Sequence, residues 1–136
     1  MKLEDPKAVI REHIDALNDG DRDRLAETLA DRMTFEGETV TREEILPIYE
    51  AYWTGFPDIE YTIDELVAEG DLVVARQHFI GTHDGTFRGI ERTGERVHVT
   101  QMVMWEIEDG TISAAWFEWD DLGLYTQLGV VDEPQV

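Results

Sequence analysis

Two runs, residues 97–108 and 111–119, alternate in side-chain character on either side of Asp109-Gly110. That dipeptide supplies the positive-φ residues of a tight hairpin turn. Successive strand residues point to opposite faces, so Val97–Glu108 and Thr111–Trp119 are predicted to pair antiparallel. One face then carries Gln101, Val103 and Trp105 beside Ala115, Phe117 and Trp119. The other carries Met102, Met104 and Glu106 with Ala114, Trp116 and Glu118. Such a hairpin is not stable alone in water; it demands a wider sheet and a cover over one face. Two tryptophans and a phenylalanine on a single face suit the lining of a small-molecule pocket. They suit a core beneath helices equally, and alternation does not separate the two.

The preceding segments supply both sheet and cover. Asp5-Pro6 reads as a helix N-cap followed by proline at the first helical position, and Val9, Ile10, Ile14 and Leu17 share one face of that helix. Asn18-Asp19-Gly20 stops it, and a short second helix from Asp21 turns Leu25, Ala26 and Leu29 inward. Thr34-Phe35 is a short strand before the Glu36-Gly37-Glu38 turn. Thr41 and Glu44 form a capping box for a third helix whose apolar face is Ile45, Ile48, Tyr49, Tyr52 and Trp53, with Pro47 kinking its first turns. From Tyr61 the period becomes that of strands: Tyr61–Glu69, the Gly70-Asp71 turn, and one long strand over Leu72–Phe87, bent near Gly81 or Gly85. Asp120-Asp121 caps a last helical turn with Leu122, Leu124 and Leu128. Helices first and long antiparallel strands afterwards make the fold class α+β.

A chain of 136 residues fits one domain, 1–136. It contains no cysteine, which excludes disulfides and thiolate metal sites. No apolar run approaches the roughly 20 residues of a membrane span. Met1-Lys2-Leu3-Glu4-Asp5-Pro6 lacks the apolar stretch of a secretion signal, so a cytoplasmic protein is expected. The 31 acidic residues against 11 basic ones give a net charge of −20. Self-repulsion of that size opposes compaction in dilute buffer, and about 1 M salt, with a Debye length of ~3 Å, screens it. A halophilic protein is the expectation. The same balance excludes nucleic acid as a partner, because phosphate binding needs clustered Lys and Arg.

Five segments, in this order, carry a resemblance: Phe56-Pro57-Asp58; residues 66–71; Gly81-Thr82-His83-Asp84-Gly85-Thr86-Phe87; residues 93–97; and Glu108-Asp109-Gly110 with Trp116, Asp120, Leu122-Gly123 and Gln127-Leu128-Gly129. Over about residues 5–130 the chain resembles the SnoaL-like polyketide cyclases of the nuclear-transport-factor-2-like superfamily. The resemblance implies a cone-shaped curved sheet packed on N-terminal helices, around a deep pocket. It also implies a cofactor-independent intramolecular aldol reaction on a polyketide ester. The family's catalytic Asp and His positions correspond here to Phe117 and Val103, and neither side chain transfers a proton. The glutamate often found before the strand's tryptophan is replaced by Ala114-Ala115.

Remaining candidates are few. His83 and His78 are the tentative catalytic groups, with Asp64 as a further ionisable residue. Tyr49, Tyr52, Trp53, Gln101, Val103, Trp105, Phe117 and Trp119 are the expected pocket lining. No metal and no cofactor are expected, since His78, His83 and His98 match no ligand spacing. Asp19, Asp21 and Asp23 imitate a calcium loop that Arg24 and Ala30 break. Arg76 suits an anionic group or an acidic neighbour, and His13 lies beside the first helix's apolar stripe. Two functions stay open: a proton-transfer enzyme acting on a hydrophobic carbonyl compound, and a non-catalytic carrier of a small apolar ligand. Met102, Met104 and Trp116 on the outer face suggest a homodimer through the sheet, or an interaction surface.

Overall fold

The first helix starts where its cap is. Asp5 accepts the Lys7 N–H, and Pro6 opens α1 (Pro6–Asp19), which Gly20 closes at φ 62°. The computed structural model describes residues 5–132; the N-terminal reading of Met1 to Glu4 lies outside them. Asp21 caps α2 (Arg22–Glu27). The chain then enters β1 (Leu29–Phe35) and β2 (Glu38–Thr41), joined at a turn where Glu36 and Gly37 have φ of 52° and 85°. Leu29 therefore belongs to a strand and not to the second helix, and β1 is longer than its Thr34-Phe35 core. Its pairing with a strand far along the chain overrides the local pattern.

Thr41 caps α3 (Arg42–Gly55) by accepting the Glu44 N–H, while its hydroxyl donates to the Glu44 carboxylate. The strands β3 (Glu60–Glu69), β4 (Leu72–Thr82), β5 (Arg96–Glu108) and β6 (Thr111–Trp119) follow, and α4 (Asp121–Gln127) closes the fold under an Asp120 cap. The strand predicted over residues 72–87 ends at Thr82. Asp58 takes both the Thr82 N–H, at 2.6 Å, and its hydroxyl, at 2.8 Å, and residues 83–95 leave the sheet as a loop.

The six strands form one mixed, curved sheet in the order β2-β1-β6-β5-β4-β3, antiparallel except for the parallel β1–β6 pair. Val97, Val99, Gln101, Val103, Trp105 and Ile107 are buried on the side facing the helices, while Met102 is 48% exposed on the other. No helix among the described residues is long and apolar enough to cross a membrane.

The core contains an ionisable ring. His13, on α1, donates from Nδ1 to the Thr28 hydroxyl (2.9 Å), which itself donates to the Leu25 carbonyl. Tyr49 and Trp105 meet the ring edge-on. Burial lowers its pKa to about 3 from an ordinary 6.5. The unfolded chain therefore takes up this proton first, so stability holds above pH 6.5 and falls as pH drops toward 3. Unfolding titrations at pH 7.5 and 5, both in concentrated salt, should show a loss of about 2 kcal/mol that His13→Leu removes. Equal losses in both proteins would mean the histidine is not the source.

Candidate functional site

The hairpin register decides which side chains face the helices. Gln101 pairs with Trp119, Val103 with Phe117 and Trp105 with Ala115, so all six lie on the concave side. They do not share one environment. Trp105 is fully buried beneath His13, and its indole N–H has no partner. Gln101 accepts from the Gln77 amide at 2.7 Å within the core. Tyr49 packs against His13, and Trp53 ties α3 to α1 by donating to the Leu17 carbonyl at 2.9 Å.

Toward the end of β6 the face opens into a cavity of about 340 Å³, bordered by Phe35, Glu36, Ile48, Tyr52, Arg88, Phe117, Glu118, Trp119 and Asp121. Of the eight residues read as lining, Tyr52, Phe117 and Trp119 border it. Phe35 packs against Phe117 in a tilted arrangement with ring centres 5.2 Å apart, and Trp119 lies 5.0 Å from the Tyr52 ring. The cavity's walls combine aromatic and aliphatic side chains with the charged Glu36, Arg88, Glu118 and Asp121.

Two of those charged groups are held in specific ways. Arg88 donates from Nη2 to the Tyr52 hydroxyl and from Nη1 to the Tyr125 hydroxyl, each at 2.8 Å, and pairs with Asp121 at 3.4 Å. The Tyr52 oxygen thus accepts from a cation, and its own proton remains available. Burial is the main cause that raises the Tyr52 pKa, with Arg88 acting in the opposite sense, so Tyr52 stays a hydroxyl donor. Glu36 accepts the Phe117 N–H through Oε1 at 2.6 Å, while its own N–H donates to the Ala115 carbonyl. Glu36 and Arg88, at φ 52° and 48°, are two of the three described non-glycine residues with positive φ. The third, Asp109, lies in the hairpin turn. Such conformations cost of order 1–3 kcal/mol and persist where surrounding contacts impose them.

The two histidines lie elsewhere. His83 is fully buried: Nδ1 accepts from the Thr93 N–H at 3.2 Å and from the Thr93 hydroxyl at 2.9 Å, and the ring packs on Phe56. With Nδ1 filled, the ring proton sits on Nε2, which has no partner. The residue fastens the 83–95 loop and does not border the cavity. His78 points to the convex face because Gln77 and Phe79 take the inward positions of β4. There it meets Asp64 at 2.7 Å and stacks on His98 at 4.6 Å. The hydrogen bond from His78 is the main cause lowering the Asp64 pKa. Arg76 pairs with Glu65 at 2.9 Å. Among the described residues no group of three or more His, Cys, Asp or Glu is placed to hold a metal ion.

Glu36 and Arg88 escaped the sequence reading. Glu36 reads as an ordinary turn residue, and Arg88 falls just beyond the span assigned to a strand. Asp121 reads as a helix cap. Nothing local marks any of them as neighbours of Tyr52.

The SnoaL-like polyketide cyclase family matches residues 7–128. Among solved structures, the chain is 31% identical to TsrD from Streptomyces laurentii, with a TM-score of 0.84, covering 92% of this chain and 95% of that one. It is 29% identical to IdmH, a candidate polyketide cyclase from Streptomyces antibioticus, with a TM-score of 0.83, covering 93% and 100%. It is 25% identical to AclR, a candidate hydroxylase from Streptomyces galilaeus, with a TM-score of 0.84, covering 96% and 84%. No curated protein matches the chain.

Proposed function

The chain belongs to the SnoaL-like polyketide cyclases, and from that premise we propose that it transfers a proton at the carbon next to a carbonyl of a hydrophobic small molecule, without a cofactor. One observation carries the reading: Tyr52, with its oxygen occupied by Arg88, borders an aromatic cavity and retains a proton to donate. A hydroxyl donor already fixed in place stabilises a developing enolate oxygen better than water, which must reorganise. The aromatic walls suit the flat carbon skeleton of such a substrate.

A second reading has its own support. Val103 and Phe117 face one another across β5 and β6, at the positions where the family's acid–base pair is expected. A site stripped of both groups suits a carrier. Deuterium exchange separates the readings. 2-Tetralone in D2O, followed by NMR, should lose its α-protons faster with protein than without, and 2-naphthol, an enol mimic, should quench tryptophan fluorescence on binding. Naphthol binding without exchange would favour the carrier; neither would remove both.

We also propose that the convex face seats a second copy. Leu72 and Met102 are 42% and 48% exposed there, contiguous with half-buried Val74, Met104 and Trp116, and two-fold self-pairing is the commonest way to cover such a patch. Light scattering in concentrated salt should give twice the chain mass; the mass of a single chain would reject the dimer.

A further inference from the structure

We propose that Glu36 is the general base of this site, so that the carboxylate has moved from the last strand to the turn between β1 and β2. The inference rests on the proton-transfer reading. Phe117 occupies the strand position where an acidic residue is expected, yet its backbone N–H is the group that Glu36 Oε1 accepts, at 2.6 Å. The carboxylate is thereby delivered to the same strand position from the turn that follows the neighbouring strand. Three contacts impose this placement: the Phe117 N–H, the Glu36 N–H bond to Ala115 and the packing of Phe35 on Phe117. The backbone at Glu36 accepts a positive φ to make them. Oε2 is left free of these bonds. Glu36 and Tyr52 border one cavity, which brings a base and an enolate donor to one site.

The step balances with no further reactant. Glu36 takes a proton from the carbon beside the carbonyl, and the C–H electron pair moves to make an enolate whose oxygen accepts from Tyr52. The protonated Glu36 then returns the proton, either to the same carbon or to the far end of a conjugated system, and the carbonyl reforms. Val103 and Phe117 offer no second acid, Asp121 at the cavity's edge is paired with Arg88, and Glu118 alternates with Phe117 toward the outer face opposite Met102, which leaves Glu36 to do both jobs. That favours tautomerisation or double-bond migration in a hydrophobic unsaturated ketone over a ring closure that needs separate acid and base groups.

Glu36→Gln keeps an oxygen for the Phe117 N–H and removes the base. It should slow α-exchange of 2-tetralone by about 100-fold or more while 2-naphthol binds within about threefold of wild type. In Glu36→Ala, added acetate should restore part of the exchange, which a purely structural role would not permit. Exchange persisting in Glu36→Gln, or no rescue by acetate, would overturn the assignment and leave the proton-transfer reading standing. Wild-type protein that binds 2-naphthol yet exchanges nothing would remove the underlying reading and this assignment with it.

Discussion

Moved from concentrated salt into dilute buffer, the protein should unfold. Its 31 acidic and 11 basic residues leave a net charge of −20. The folded surface uses many of its cations in local pairs: Arg22 with Glu50, Arg24 with Glu12 and Asp19, Arg42 with Asp31, Arg76 with Glu65, and Arg92 with Asp84. Exposed pairs of this kind contribute about 0–1 kcal/mol each, too little to offset the repulsion among the surplus carboxylates. At about 0.01 M salt that repulsion reaches across ~30 Å, the scale of the whole domain, and at about 1 M it dies within ~3 Å. The far-ultraviolet circular dichroism signal should therefore collapse below a few hundred millimolar salt, an order-of-magnitude midpoint set by screening. Melting temperature should climb steadily above it. A melting temperature unchanged between dilute and molar salt would refute the halophilic reading.

Gly85→Ala should be the most damaging small substitution near the site. An added Cβ would lie 2.1 Å from the Thr54 carbonyl oxygen and 3.1 Å from its carbon. These are backbone atoms at the end of α3, which cannot swing aside as a side chain would. Asp84 and Gly85 both donate to the Gly55 carbonyl there, at 3.1 and 3.2 Å, and Gly55 in turn leaves room for Phe87. This contact seats the loop that presents Arg88 to Tyr52. Overpacking costs about 1–3 kcal/mol, and a clash with backbone belongs at the upper end. The variant should lose stability in urea titrations and bind 2-naphthol more weakly, because Arg88 no longer orients the Tyr52 hydroxyl. The neighbouring exposed Thr86 gives the comparison: Thr86→Ala should change stability by no more than about 0.5 kcal/mol. Wild-type stability in Gly85→Ala would show that the loop is not pinned in this way.

Residues 101–119 show what alternation can reveal. Asp109-Gly110 and the period of two set the hairpin, and the predicted faces match the pairing of Val103 with Phe117 and Gln101 with Trp119. The caps at Asp5, Thr41 and Asp120 were legible for the same reason: each involves a backbone N–H two or three residues ahead. These features, with the ordered glycine segments, determined the fold class and the family.

The site lay beyond such signals. The parallel pairing of β1 with β6, the end of β4 at Thr82 and the return of the 83–95 loop onto α3 all depend on distant partners. The hydrogen bond from Phe117 to Glu36 spans 81 residues, and that from Arg88 to Tyr52 spans 36. Propensity and periodicity register only what a residue meets within a turn or along its own strand. A glutamate in a glycine turn and an arginine in a loop therefore look like ordinary surface residues, until chain closure brings a sheet edge, a helix and a loop around one cavity.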